Sequence, residues 1–190
     1  MTACTESVRL AEQAGHGRSA AWSLSMIGRI QLLCGDAESA LRVLNRSADG
    51  VARERWAAFS PWVESLRAEA LLAVGRADEA AAPAERAYAV ATTMADECWI
   101  AVSARSLALV RFRSGDRAGA LEWVSESLRR EPWYLWTHGR ALATAVAIGA
   151  AVGDTRAPGW AAELHRLIGR AQLDTNLMPH QIPNEDGSSR

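Results

Sequence analysis

A similar ten-residue sequence pattern occurs three times in this chain at intervals of forty residues. The copies are residues 32–41, 72–81 and 112–121. Each copy has a glycine at its fourth position, such as Gly75, between two apolar segments. Glycine enters the left-handed conformation without steric cost, so each copy predicts one helix, a chain reversal and a second helix. Self-similarity at a fixed period is typical of repeat architectures and constrains the chain to stacked helical hairpins.

The turn signals and the helical spacing of apolar residues place four hairpins along the chain. A fourth turn at Gly153-Asp154 follows the third turn glycine by 38 residues instead of 40. No useful strand-like alternation occurs, so the predicted fold is all-α: an α-solenoid of about four antiparallel helical hairpins with a period of about 40. Pro83 falls near the middle of one predicted helix, where the missing amide predicts a kink or a split.

Three regions are predicted from these signals. Residues 1–18 form an N-terminal capping helix or partial repeat, because terminal repeats are commonly atypical. Residues 19–173 form the helical-repeat domain, and within it residues 47–59 are expected to continue the preceding helix. Residues 174–190 contain prolines and polar residues and are expected to be a flexible C-terminal tail.

The charge balance excludes a strong overall electrostatic field. The chain has 21 basic and 22 acidic residues, and all the basic residues are arginine. We therefore expect no direct nucleic acid binding and no membrane attachment. No secretory signal and no apolar segment of ~20 residues occurs, so a cytoplasmic location is expected. Cys34 and Cys98 lie in apolar helix segments and are expected to be packed rather than reactive.

The small residues, turn glycines and later alanines resemble tetratricopeptide repeats. The matching positions are Gly28, Gly35-Asp36 and Ala40; Ala68, Gly75 and Ala80; and Ala108, Gly115-Asp116, Ala120, Leu128 and Pro132. The elongated period, with the run at residues 59–75, is similar to the repeat segment of large ATP-binding LuxR-type regulators and related bacterial signalling ATPases. That resemblance implies the sensor or scaffold portion of such a regulator, either part of a larger protein or independent, with transcriptional regulation as its context.

A candidate binding groove follows from the repeat register. Trp22 and Trp62 both stand thirteen residues before their turn glycines, and the tetratricopeptide resemblance implies that this offset faces the concave surface. The candidate groove residues are Trp22, Ser25, Arg29, Trp62, Ser65, Glu69, Arg105 and Arg140. Tryptophan and arginine dominate binding hot spots. A second interpretation places Trp22 and Trp62 in the core between repeats. The remaining tryptophans are assigned to packing: Trp56, Trp99, Trp123, Trp133, Trp136 and Trp160.

No catalytic or metal motif was found beside this groove. The four histidines are scattered without ligand spacing, and no nucleophile–base signature occurs, so no catalytic residue, metal or cofactor is expected. The predicted function is a non-catalytic protein-binding scaffold or regulatory sensor that recognises a peptide, protein or effector on its concave face. The alternative is a small-molecule-binding protein or enzyme with a Trp-lined pocket between repeats. Exposed repeat ends also make self-association a third possibility.

Overall fold

The computed structural model describes residues 2–130 and 134–171, and these residues form nine α-helices and one 3-10 helix, without a β-strand. The helices are α1 (Thr2–Gln13), α2 (Gly17–Leu33), α3 (Ala37–Arg53), α4 (Ser60–Ala73), α5 (Ala77–Thr93), α6 (Glu97–Arg113), α7 (Arg117–Leu128), α8 (Leu135–Val152) and α9 (Ala157–Ala171), with the 3-10 helix at Ala57–Phe59. The predicted all-α class is confirmed. Pro132, Trp133 and the predicted tail at residues 174–190 lie outside the described residues.

The helices pack neighbour to neighbour in chain order. Helix α1 lies against α2, and α2 packs against α3, α4 against α5, α6 against α7 and α8 against α9. The even-numbered helices α2, α4, α6 and α8 also contact one another in sequence. Fully buried Ala40, Ala80 and Ala120 stand forty residues apart at the starts of the odd-numbered helices, where a small side chain permits close approach. One face of each of α2, α4, α6 and α8 therefore lies beside that of the next even-numbered helix.

A left-handed backbone conformation recurs every twenty residues. The φ angles are 70° at Gly15, 80° at Gly35, 48° at Arg55, 80° at Gly75, 52° at Ala95 and 83° at Gly115. The glycine turns at 35, 75 and 115 were predicted, and so was the fourth turn, where Gly153 has a φ angle of 72°. The two non-glycine turns were not predicted, because arginine and alanine rarely adopt a positive φ and carry no turn signal. The prediction that residues 47–59 continue the preceding helix holds as far as Arg53, where α3 ends.

Local hydrogen bonds also recur along the chain. The carboxylates of Asp36 and Asp116 each accept a bond from a helix amide, at 3.2 Å and 2.9 Å, and so cap α3 and α7. The buried Ser47 hydroxyl donates to the Ala21 carbonyl at 2.7 Å, and eighty residues later Ser127 donates to Ala101 at the same distance. These bonds tie α3 to α2 and α7 to α6.

Pro83 does not split its helix. Helix α5 runs from Ala77 to Thr93 with Pro83 buried inside it. A proline at this position removes one amide donor, but Ala80, Ala84 and Ala87 are buried on the same helix. Packing of α5 against α4 and α6 keeps the helix continuous, so the predicted split is wrong.

We expect Ala95→Gly to raise the free energy of unfolding. Relief of left-handed strain, roughly 1–2 kcal/mol, exceeds the entropy that glycine adds to the unfolded chain, about 0.4–1 kcal/mol. Gly75→Ala should have the opposite effect; a Cβ there would meet nothing within 4 Å, so the change tests backbone strain alone. Urea unfolding followed by circular dichroism measures both.

Gly159→Ala in α9 is the matched control for the glycine substitution. Its Cβ would also meet open space, but the residue is helical, so alanine should stabilise the protein there. A loss of stability in Ala95→Gly would contradict the assignment of strain to that turn.

Candidate functional site

The predicted groove residues lie on the even-numbered helices, and most of them are buried. We call the face of α2, α4, α6 and α8 that carries these residues the inner face. Trp22 is 49% exposed and Arg29 is half-buried, whereas Ser25, Trp62, Ser65, Glu69, Arg105 and Arg140 are buried. The inner face therefore has one exposed aromatic side chain at α2 and a set of buried charges across α4, α6 and α8.

Glu69 joins three helices through one carboxylate. Its Oε1 accepts a hydrogen bond from Arg105 of α6 at 2.5 Å, and its Oε2 accepts one from Arg140 of α8 at 2.5 Å. The exposed fractions are 5% for Glu69, 7% for Arg105 and 6% for Arg140. Arg105 Nε also donates to Thr144 Oγ1 at 2.9 Å, and this hydroxyl donates to the Arg140 carbonyl at 2.9 Å. A buried polar network thus fixes these side chains.

Burial and neighbouring charges shift the pKa of the Glu69 carboxyl group in opposite directions. Burial raises its pKa, but the positive charges of Arg105 and Arg140 outweigh this effect, so the pKa of Glu69 lies below its ordinary value. Burial lowers the pKa of Arg140 to about 10, and the neighbouring positive charges of Arg105 and Arg29 act in the same direction. The Glu69 carboxylate is therefore ionised at neutral pH, and Arg140 keeps its positive charge there.

Arg29 of α2 reaches across to α8 without pairing with a carboxylate. Its guanidinium carbon lies 3.5 Å from the centroid of the Trp136 ring and 5.8 Å from that of Trp62. Arg140 lies against the same Trp136 ring at 5.4 Å. Among the described residues no acidic group pairs with Arg29, and its buried Nε has no hydrogen-bond partner. Burial lowers the pKa of Arg29, and the charge of Glu69 opposes this.

The tryptophans of the inner face form a cluster around Trp62. The ring centroid of Trp62 lies 5.8 Å from that of Trp99 and 6.4 Å from that of Trp136. Trp62 Nε1 donates to Ser25 Oγ at 3.2 Å. Trp62 belongs to the main hydrophobic core, whereas Trp22 is exposed and makes none of these ring contacts. The two residues matched by register therefore have different environments, one buried and one accessible.

Several side chains that contact each other across the inner helices differ by three or four residues, for each helix crossed, in their distance from the turn glycine. Glu69 stands six residues before Gly75, its partner Arg105 ten before Gly115, and Arg140 thirteen before Gly153. A second line has the same stagger. It consists of Ser25, Trp62 and Trp99, which stand ten, thirteen and sixteen residues before the glycines. The bond from Arg105 to Thr144 instead joins residues at nearly equal distances, ten and nine residues before their glycines. The offset of about one turn therefore belongs to the particular side-chain pairs and not to a displacement of whole helices.

Trp99, Trp136 and Thr144 are site residues that the sequence analysis missed, because the two tryptophans were assigned to packing. A signal was present in the register. Trp99 and Trp136 each stand one turn before the residue at offset thirteen, and residues three or four apart share a helix face. Extending the candidate set by one turn on α6 and α8 would have included both.

The two cysteines that were expected to be packed differ in their exposure to solvent. Cys34 is exposed, so the expectation that it is packed is wrong; it stands at the end of α2, directly before the turn. Cys98 is partly buried, and burial together with Asp96 raises the pKa of its thiol to about 11. The Cys98 thiol is therefore protonated at neutral pH and is a poor nucleophile.

The described part of the chain contains neither a candidate metal site nor a membrane-spanning helix. Within residues 2–130 and 134–171, no group of three or more histidine, cysteine, aspartate or glutamate residues could hold a metal ion. None of the described helices combines the length and apolar character needed to cross a bilayer. No protein-family model matches the chain, and no curated protein is similar to it.

We expect Glu69→Gln to lower the free energy of unfolding by about 3 kcal/mol or more, because it leaves buried arginines without their counter-charge. Urea unfolding at neutral pH measures the change. Glu79→Gln is the matched control: Glu79 pairs with Arg76 on the surface, and its removal should leave stability nearly unchanged. Equal effects of the two substitutions would contradict the role of burial.

The contribution of Glu69 to the free energy of unfolding should also depend on pH. The folded-state pKa lies below the ordinary value of 4.5, so the stabilisation is present above pH 4.5 and is lost as the pH falls through the folded-state pKa. The stability difference between wild type and Glu69→Gln should therefore narrow below pH 4.5. Unfolding measured from pH 6 to pH 3 tests this, and a difference that stays constant would contradict it.

Proposed function

We propose that the chain is an α-solenoid of four helical hairpins that binds a partner on its concave inner face without a covalent step. The regular spacing of the left-handed turns and the contacts between successive even-numbered helices support the solenoid. The tetratricopeptide-like positions Ala40, Ala80 and Ala120 are fully buried, as close packing of paired helices requires. On this proposal the protein is a scaffold or regulatory sensor, and its site is a surface shared by four helices.

The observation that carries the proposal is the composition of the inner face. A face that serves packing alone is expected to be apolar, since buried charges cost free energy unless they are paired. Here Arg105 and Arg140 share the single Glu69 carboxylate, and the guanidinium of Arg29, unpaired among the described residues, lies over the Trp136 ring. Arginine and tryptophan are the residue types that dominate binding energy at interfaces. Trp22 adds an exposed aromatic anchor on the same face.

The partner on this proposal is a peptide or protein segment that lies across the inner helices. The resemblance to the repeat segment of LuxR-type regulators supports a regulatory role in transcription through protein contacts. A formal net charge of -1 supports neither a nucleic acid nor an anionic membrane as the partner. The cytoplasm is the compartment that agrees with this role.

A small-molecule effector is the second candidate occupant. The specific observation that favours it is the three-ring cluster, in which Trp62 lies 5.8 Å from Trp99 and 6.4 Å from Trp136. Aromatic rings beside arginines form a suitable wall for a compound with an aromatic part and an acidic group. Such an effector would bind between successive inner helices.

Selection from a random peptide library displayed on phage tests the proposal. We expect enriched peptides whose Kd, measured by fluorescence anisotropy, rises at least about tenfold in Trp22→Ala, as for a hot-spot residue. Met94→Ala, an exposed apolar residue at the end of α5, is the control and should leave the Kd unchanged. Both variants should keep the wild-type melting temperature, because both side chains are exposed.

Two outcomes would contradict the peptide-binding proposal. Peptides that bind Trp22→Ala as tightly as wild type would place the binding surface elsewhere. Failure to enrich any peptide, together with saturable quenching of tryptophan fluorescence by one compound from a metabolite set, would favour the small-molecule effector instead.

A further inference from the structure

We propose that Arg29, together with Arg105 and Arg140, forms a site for an oxyanion, namely a carboxylate or phosphate group of the ligand that the inner face accepts. This inference rests on the proposed function, because it names the chemistry that the inner face recognises. The oxyanion can belong to an acidic side chain of a peptide or to a small free anion, and the experiment below separates these sources. The four side chains Arg29, Glu69, Arg105 and Arg140 are called the Glu69 cluster.

The Glu69 cluster has two more positive charges than negative charges. Three guanidinium groups face one carboxylate, and both carboxylate oxygens are already occupied by Arg105 and Arg140. Arginine does not lose its proton in proteins, so the excess charge is not relieved by deprotonation. Like charges repel more strongly away from bulk water. A bound anion would remove this repulsion, and the cluster is therefore matched to a negatively charged ligand.

Arg29 is the member of the cluster that a ligand can reach. Glu69, Arg105 and Arg140 are each more than nine-tenths buried, whereas Arg29 is half-buried. The Trp136 ring at 3.5 Å holds the guanidinium plane in place without neutralising its charge. The buried Nε of Arg29 has no hydrogen-bond partner in residues 2–130 and 134–171. Its pairing capacity is thus unused, and its position is fixed by an aromatic surface.

The buried hydroxyl of Ser65 is a second, independent observation that points to a bound oxyanion. Ser65 is fully buried, and its hydroxyl oxygen has no hydrogen-bond partner within the described part of the chain. On α4 it stands three residues after Trp62 and four before Glu69, which places it on the inner face between them. An unpaired buried hydroxyl is costly in a folded protein. A hydroxyl is a suitable donor to the oxygen of a carboxylate or phosphate group.

The test compares the melting temperature of wild type with that of Arg29→Met. The probes are inorganic phosphate and citrate, titrated against sodium chloride at matched ionic strength. In wild type we expect a saturable rise of several degrees, as binding to the native state requires. In Arg29→Met the rise should be absent, while the melting temperature without the probe should be unchanged or higher. Methionine keeps the apolar contact with the rings and removes an unpaired charge.

Arg18→Met is the matched control, because Arg18 also lies over a tryptophan ring, that of Trp56 at 5.7 Å, but outside the Glu69 cluster. It should keep the full response to phosphate and citrate. An equal response in Arg29→Met and wild type would overturn the proposal. A lower melting temperature of Arg29→Met without the probe, combined with an unchanged response, would mean that Arg29 has a purely structural role.

Peptides separate the two sources of the oxyanion. A glutamate-rich peptide and its glutamine-substituted counterpart are compared by fluorescence anisotropy on wild type and Arg29→Met. Tighter binding of the glutamate form, by at least tenfold and lost in Arg29→Met, assigns the oxyanion to an acidic side chain. A response to phosphate or citrate alone assigns it to a free anion. If neither probe class gives a response that depends on Arg29, the oxyanion site is wrong.

The outcomes for the oxyanion site and for the proposed function are distinguishable. Library peptides that require Trp22 but bind Arg29→Met as tightly as wild type would preserve the proposed function and remove the oxyanion site. An anion response that requires Arg29, without any peptide that requires Trp22, would preserve the oxyanion site and contradict peptide binding.

Discussion

The buried carboxylate of Glu69 is the interaction on which the arrangement of the inner helices depends. Apolar packing between alanine-rich helices tolerates small displacements, but two hydrogen bonds of 2.5 Å from Arg105 and Arg140 do not. Each bond crosses from α4 to a different helix. Because an unpaired buried charge is strongly unfavourable, the positions of α6 and α8 relative to α4 are restricted to those that keep both bonds.

The turns and the carboxylate determine different parts of this arrangement. The left-handed residues spaced every twenty positions set where α1 to α6 end, and therefore which residues stand at a given distance from a turn. Charge pairing and aromatic contacts then join particular side chains across the inner helices. Glu69 contacts Arg105, and Ser25 contacts Trp62, at distances from the turns that differ by three or four residues. The ends of the helices and the pairing of side chains across them thus have separate physical causes.

The same separation explains how much the sequence could predict. Periodicity and glycine turns are local properties, so the all-α class, most turns and the shared face of Ser65, Glu69 and Arg105 were accessible from the sequence. The pairing of side chains across helices is a tertiary property, and register matching assumes that residues at equal distances from the turns have equal environments. For this reason Trp22 and Trp62 were matched although their environments differ, and Trp136 was left out of the site although Arg29 stacks on it.

The backbone has the least conformational freedom in the connections between helix pairs. Arg55 and Ala95 connect the end of one helix pair to the next even-numbered helix, and both adopt left-handed φ angles with a Cβ present. A non-glycine residue has access to only a small left-handed region, whereas the glycines within pairs, such as Gly75, have a broad one. The connections that precede α4 and α6 therefore have fewer accessible backbone conformations than the connections inside each helix pair. Their strain is sustained because the Glu69 cluster and the surrounding core hold those two helices in a single relation.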